Sequence, residues 1–352
     1  MFSSLPFVYM FLCVMGAGTL LSVSSLHWLG IWAGLEINLI GFLPMLVYQK
    51  SVSESESAVK YFVIQALGSS LLIFGSLTIF SLSFSWDLFS SFGLHNLGFC
   101  VLVGGLCIKL GLFPFHYWLP SVMAGLPWVS CLLLATWQKL APLFLLLCLF
   151  ELSSSYSMIS MLCLSSMGSA MIGGLGGMNQ TQIRALLAYS SIGHLGWMTF
   201  SVMHGEWLLK SYLWIYVLIS LSLFMALWLS DPGSMKNINN LKNSNTWQFS
   251  IMLLLLSLGG LPPLFGFISK WLVIMVGTSG SWLFVILLLI IGSLMSLFYY
   301  LSLFFSLFLY LSKKNGLKFE SLVPSNNFAL LIVILNMIGG VGILLSGLFM
   351  MA

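Results

Sequence analysis

Apolar residues run along this chain in long stretches, and polar residues collect in the short gaps between them. A helix that crosses a bilayer needs about 20 predominantly apolar residues. Segments of that character fall at 5–24, 27–48, 58–80, 93–121, 127–150, 155–176, 182–203, 207–230, 247–277, 281–311 and 328–350. The pattern predicts an all-α polytopic membrane protein with about eleven transmembrane helices, all in a single membrane domain over 1–352. Two segments are overlong and interrupted by proline. The stretch 93–121 breaks near Pro114 (IKLGLFPFHYWLP), and 247–277 breaks at Pro262 and Pro263 (LSLGGLPPLFGFISKW).

The distribution of basic residues tests this count, because orientation follows the Lys/Arg bias of short loops. With eleven spans, the side holding the N-terminus collects Lys50, Lys60, Arg184, Lys236, Lys242, Lys313, Lys314 and Lys318, and the other side only Lys210. Splitting either broken segment into two spans would exchange every later loop and spoil that bias. Each is therefore read as one crossing.

Segments one to five (5–150) and six to ten (155–311) can be laid side by side. In each set the second member carries a mid-span ionisable group, Glu36 or His194. The fourth member of each set is proline-broken and carries a lysine, Lys109 or Lys270. Five is odd, so the two sets lie inverted in the membrane, a recurrent transporter design. The last segment, 328–350, has no counterpart and reads as a C-terminal packing helix.

Composition agrees: of 352 residues, 60% are hydrophobic and only 6% charged, against about 25% charged in soluble domains. The net charge of +4 is dispersed, which gives no footprint for nucleic acid. The six cysteines form no CxxC pair, and no histidine stands at ligand spacing from them, so no metal centre is expected. Gly173, Gly174, Gly176 and Gly177 lack the strand–turn–helix setting of a phosphate loop and suggest a helix end and turn. The N-terminus lacks a basic region and a cleavage site, so the first segment is expected to be retained.

Most charges sit in loops or at helix ends. Glu36, Lys109, Lys139 and Lys270 do not. A centred charge costs about 2.5–3.5 kcal/mol on insertion scales, so four cost on the order of 10 kcal/mol if uncompensated. One explanation is an interhelical ion pair that fixes packing. However, one acid cannot neutralise three lysines. The other explanation is a titrating path, in which a buried lysine beside a movable carboxylate is toggled between charged and neutral. Prolines free backbone carbonyls, which are tolerated at membrane depth only where protein or water satisfies them. Water beside Lys109 and Lys270 fits that requirement. His194 suits a relay by its ordinary pKa, or else bridges helices structurally. His116, just past Pro114, is a candidate for lining a water cavity. Arg184 opens a span and reads as an anchor.

The strings GLEINLIGFLPML, KYFVIQALGSS, KLGLFPFHYWLP, LATWQKLAPL, GGLGGMNQTQIRALLAYSSIGHLGWM and LSLGGLPPLFGFISKWL occur in order from about residue 30 to 275. Together they resemble the chain 2 family of mitochondrial NADH:ubiquinone oxidoreductase, respiratory complex I. The resemblance implies an antiporter-like subunit of the membrane arm, with eleven helices in the animal form. It also implies residence in the mitochondrial inner membrane, with the N-terminus on the matrix side. By position, Glu36 matches the acidic partner of the broken-helix lysine, Lys109. Lys139 and His194 match axis positions, and Lys270 matches the second broken-helix lysine. The family role is proton translocation driven by electron transfer from NADH to ubiquinone. NADH, FMN, iron–sulfur clusters and ubiquinone are bound by other subunits, with no cofactor in this chain. The implied partners are the neighbouring membrane-arm subunits, including antiporter-like ones, and the lipid bilayer. A standalone cation/proton antiporter and a non-conducting structural subunit are the alternatives. The standalone antiporter is disfavoured because Glu36 is the sole mid-membrane carboxylate.

Overall fold

The computed structural model describes residues 7–48, 51–87, 96–152, 155–230, 245–278 and 282–315, with a few isolated positions besides. Thirteen helices account for these stretches: α1 (Val8–Ser24), α2 (Trp28–Leu46), α3 (Val52–Ser83), α4 (Asn96–Leu110), α5 (Trp118–Gly125), α6 (Trp128–Ala135), α7 (Trp137–Leu152), α8 (Tyr156–Met178), α9 (Ile183–Val202), α10 (Glu206–Ser230), α11 (Asn245–Gly259), α12 (Phe265–Thr278) and α13 (Leu283–Asn315). Each of the first ten predicted segments is represented by one helix or by a broken pair. The predicted segment 328–350 lies outside the described residues apart from isolated positions, as do Lys50, Lys236, Lys242 and Lys318. Among the described residues, six helical stretches are long and apolar enough to cross a membrane: 28–46, 52–81, 128–152, 156–178, 206–229 and 283–309.

The chain divides into two compact units, Met1–Gly168 and Ser169–Ala352. In the first, α1 packs on α2, α3 on α4 and α5, and α7 on α1 and α4. The serine at the head of α3 supplies a local reason for that helix to begin there. Ser51 accepts a hydrogen bond from the Glu54 amide at 3.2 Å, the N-terminal half of a capping box. The other end of α3 is tied to the start of α2 by the Trp28 amide donating to the Trp86 carbonyl and by an exposed His27–Asp87 ion pair at 2.6 Å.

In the second unit α9 is the central element. All but three of its 20 residues are buried, and α10, α12 and α13 pack around it. This explains why α9 can carry serines and a histidine through the membrane: its polar face meets protein, not lipid.

Two sequence expectations are corrected, the first in part. Of the glycines expected at a helix end and turn, Gly176 and Gly177 do stand in the last turn of α8, just before the turn at Asn179, whereas Gly173 and Gly174 lie further inside the helix and pack it against its neighbours. A Cβ at Gly173 would meet the Gly193 backbone, and one at Gly174 would meet Gly292. Glycine lets helix backbones approach closely in membranes, where packing replaces the hydrophobic drive. The single helix expected over 127–150 is interrupted at Thr136. The Thr136 hydroxyl donates back to the Leu132 carbonyl at 2.7 Å, a contact that bends helices. Pro142, inside α7, removes the hydrogen bond to the carbonyl four residues earlier.

Gly173→Leu is expected to drive α8 from α9 and to deplete the folded chain from membranes, read by immunoblot of the membrane fraction. Wild-type levels would mean that this crossing tolerates a side chain.

Candidate functional site

The two proline breaks share one hydrogen-bonding plan. At the end of α4, Gly111 adopts φ +75°. Its amide donates to the Cys107 and Ile108 carbonyls, and the Leu112 amide donates to Cys107. At the end of α11, Gly260 adopts φ +79°. Its amide donates to Leu256 and Ser257, and the Leu261 amide donates to Leu256. Both are Schellman ends, which need a residue in the left-handed region and so favour glycine. Such an end leaves the last two carbonyls of the helix without a backbone donor.

The two units supply the missing donors differently. In the first unit, Gln65 of α3 donates to the Lys109 carbonyl at 3.3 Å. The Trp118 indole adds a second donor, at 3.2 Å, to the Ile108 carbonyl that already accepts from Gly111. In the second unit the donor is Lys270 itself. Its ammonium donates to the Gly259 carbonyl at 2.8 Å and more weakly to Leu258 at 3.4 Å. A cation at a helix C-terminus is also favoured by the helix dipole.

This geometry corrects the expected equivalence of Lys109 and Lys270. Lys109 ends the half-helix before its break, whereas Lys270 lies on α12, after its break. With the glycines superposed, the residue matching Lys109 in the second unit is Leu258. Laid side by side, the two segments match as wholes, each proline-broken and carrying one lysine. The order is written in the sequence, where Lys109 precedes Pro114 and Lys270 follows Pro263, but matching span to span passes over it.

Lys109 is buried and turns to α2, where its Nζ lies 3.8 Å from Oε1 of Glu36. That distance makes an ion pair but not a hydrogen bond, and Glu36 Oε1 holds no hydrogen bond elsewhere. The pair is therefore loose. A small cavity beside Lys109 is lined by Asn38, Tyr61, Gln65 and Gln138, and closed by Leu35, Leu39 and Pro142. Asn38 and Gln138 form a reciprocal amide pair across it, with bonds of 3.0 and 3.1 Å. The Tyr61 hydroxyl adds a third contact to Gln138 at 3.4 Å. Lys139 is buried in the first turn of α7, immediately beside Gln138.

In the second unit, Lys270 of α12 and His194 of α9 line one cavity together with Ser190, Ser293, Ser296, Tyr299 and Tyr300. His194 Nδ1 lies 2.9 Å from the Tyr212 hydroxyl, and its ring packs on Tyr216. His116 is buried, with Nδ1 3.2 Å from its neighbouring Pro114 carbonyl, and lines neither cavity. The structure thus gathers Glu36 with Lys109, and His194 with Lys270, each within its own unit.

The uncharged polar residues of both cavities escape a sequence reading based on charge. Their spacing does carry a signal. Tyr61 and Gln65, Ser190 and His194, Tyr212 and Tyr216, and Ser296 and Tyr300 are each four apart, one helix face apiece.

A family model described as "NADH:quinone oxidoreductase/Mrp antiporter, TM" matches residues 25–298. Relatives named NADH-ubiquinone oxidoreductase chain 2 cover most of both chains. The Anopheles gambiae protein is 40% identical over 90% of this chain and 89% of its own length. The Lumbricus terrestris protein is 40% identical over 82% and 83%. The chain belongs to the NADH-ubiquinone oxidoreductase chain 2 family. Among solved structures, a chain of respiratory complex I from Thermus thermophilus is similar with TM-score 0.80 and 28% identity, over 97% of this chain and 78% of that one. A chain of the Mrp complex from a Dietzia species shares the fold, with TM-score 0.76 and 16% identity, over 83% and 59%. Family membership and the apolar helices make this a multi-pass membrane protein of antiporter-like fold.

The amide pair can be tested by a thermodynamic cycle. Asn38→Leu or Gln138→Leu alone strands a buried amide and is expected to cost about 1–3 kcal/mol. The double substitution is expected to recover part of that loss, because neither amide is then left unpaired. The readout is thermal unfolding of the membrane-extracted protein. Strictly additive losses would show that the two amides do not depend on each other.

Proposed function

We propose that this chain is a core membrane subunit of NADH:ubiquinone oxidoreductase and carries protons across the mitochondrial inner membrane. The energy comes from electron transfer between NADH and ubiquinone, whose flavin, iron–sulfur and quinone sites belong to other subunits. Its partners are other membrane-arm subunits, including antiporter-like neighbours. The observation that carries the reading is that each unit encloses a buried lysine against a small cavity that polar side chains reach, beside a broken helix.

In the first unit the loose Glu36–Lys109 pair is the switch. When it tightens, the ammonium is stabilised and holds its proton. When it parts, the buried ammonium loses its counter-charge and releases the proton, because burial disfavours the charged form. Lys139 receives protons on the neighbouring helix. In the second unit Lys270 alternates between the α11 carbonyls and the cavity it shares with His194. The fold proposed for this work has eleven spans, with an inverted five-helix set in each half and the N-terminus on the matrix side. The loop-charge bias and the common Gly-ended break in both units support it.

Lys139→Met and Lys270→Met in the assembled complex are expected to lower proton pumping and coupled NADH turnover about tenfold or more, equivalent to at least 1.36 kcal/mol of lost barrier reduction. Assembly is expected to persist for Lys139→Met, since replacing a buried charge by an apolar chain of similar length removes a desolvation cost. It is expected to be lower for Lys270→Met, which also strips the Gly259 and Leu258 carbonyls of their donor, so pumping is compared per assembled complex. Pumping is read as the pH change of proteoliposomes per NADH oxidised, and assembly on native gels. Full pumping in both variants would establish a purely structural role for these lysines.

A further inference from the structure

Tyr299 and Tyr300 stand next to each other on α13, with ring centroids 4.7 Å apart. They are 2% and 1% exposed. Both hydroxyls are buried and complete no hydrogen bond, and both residues line the cavity that Lys270 and His194 share. Ser190 stands beside the Tyr300 hydroxyl, Ser296 beside that of Tyr299, and the two phenols face each other. None of these contacts has full hydrogen-bond geometry, and a buried hydroxyl left unpaired costs about 1–3 kcal/mol.

The serines beside them cannot be partners in full. Ser190 donates to the Leu187 carbonyl at 2.7 Å, and Ser296 donates to the Ser293 carbonyl at 2.7 Å. Their protons are committed to their own helices, which leaves only oxygen lone pairs for the tyrosines. The lone pairs of the two phenol oxygens still lack a donor. The cavity wall is largely apolar, with Ala170, Trp197 and Gly292 in it, but several polar side chains reach it, and it has room for about one ordered water, which needs two to four polar partners to be stable. Lysine, histidine and two phenols meet that requirement.

Resting on the proton-carrying reading above, we propose that an ordered water sits among Lys270, Tyr299 and Tyr300, and that the Tyr300 hydroxyl passes protons between this water and His194. The step conserves every atom. The water gives a proton to the phenol oxygen as the phenol's own proton leaves towards the histidine. The water is made whole again by a proton from the Lys270 ammonium. Rotation of the phenol hydroxyl then resets the path. A hydroxyl suits this place because it donates and accepts at one atom, whereas the serine protons are tied to backbone carbonyls. Tyr212 is a positioning residue. Its 2.9 Å contact with Nδ1 of His194 engages that ring nitrogen and holds the orientation of the ring.

The test uses the assembled complex with Tyr300→Phe, which removes one oxygen and keeps the ring. Pumping and coupled turnover are expected to fall roughly threefold to tenfold, below the full value of a lost proton-transfer group because water can partly replace the hydroxyl. The solvent deuterium isotope effect on turnover is expected to rise, a change that a packing role would not produce. Lys270→Met serves as the reference. If it abolishes pumping while Tyr300→Phe leaves both rate and isotope effect unchanged, this inference is overturned and the broader reading stands. If Lys270→Met also pumps normally, both fall. Should Tyr300→Phe fail to assemble, a wild-type map at a resolution that shows waters decides the matter. Density touching both phenol oxygens supports the proposal, and a dry cavity refutes it.

Discussion

A helix that stops inside a membrane leaves carbonyl oxygens that neither lipid nor bulk water can satisfy. This chain stops two helices that way, at Gly111 and at Gly260, and closes each with the same backbone pattern. What that pattern leaves open is then assigned to side chains. Gln65 serves the first break, where Trp118 adds a second donor to a carbonyl already bonded, and Lys270 serves the second. Much of the buried polar architecture follows from these two assignments. The donor must come from a neighbouring element, so each break fixes the register between the half-helix that ends and the helix that caps it.

The same constraint divides the labour of the lysines. Neutral donors cap the first break, so Lys109 is released from that task and faces Glu36 instead. At the second break the lysine is itself the cap, and its movement is coupled to the stability of a helix end. A Cβ at Gly260 would lie 3.0 Å from the Lys270 ammonium. The glycine that permits the turn therefore also leaves the space the ammonium occupies. Turn chemistry and charge placement are one feature here.

Long apolar runs, both proline breaks and the four mid-membrane charges were legible in the sequence because each departs sharply from its surroundings. A lysine among leucines needs no comparison to be noticed. The neutral residues were not legible in that way. Asn38, Gln138 and Tyr212 look like ordinary interhelical polar residues until the fold shows Asn38 bonded to Gln138 and Tyr212 bonded to His194. The break at Thr136 was hidden for a different reason: no glycine or proline stands at it, and the bend arises from a hydroxyl bonding back along its own helix. The glycines of α8 were half legible, because glycine serves both helix ends, as at Gly176 and Gly177, and close helix crossings, as at Gly173 and Gly174. Only knowledge of the neighbouring helix separates those uses.

Magnitudes separate the roles of the two cavities in the proposed relay. Moving one charge against 100 mV requires about 2.3 kcal/mol. Two unit charges about 4 Å apart attract by about 4 kcal/mol at an effective dielectric constant near 20, before desolvation is subtracted. Making or parting the Glu36–Lys109 pair is therefore of the right size to drive a proton uphill. A neutral hydrogen bond contributes only about 0.5–1.5 kcal/mol net, so rearranging hydroxyls and water around Tyr300 cannot do that work. It can only lower the barrier to transfer. The energy-bearing step thus belongs where opposite charges face each other at a distance too long for a hydrogen bond. In the same proposal, the cavity that His194 and Lys270 share within the second unit can ease a transfer but cannot drive it.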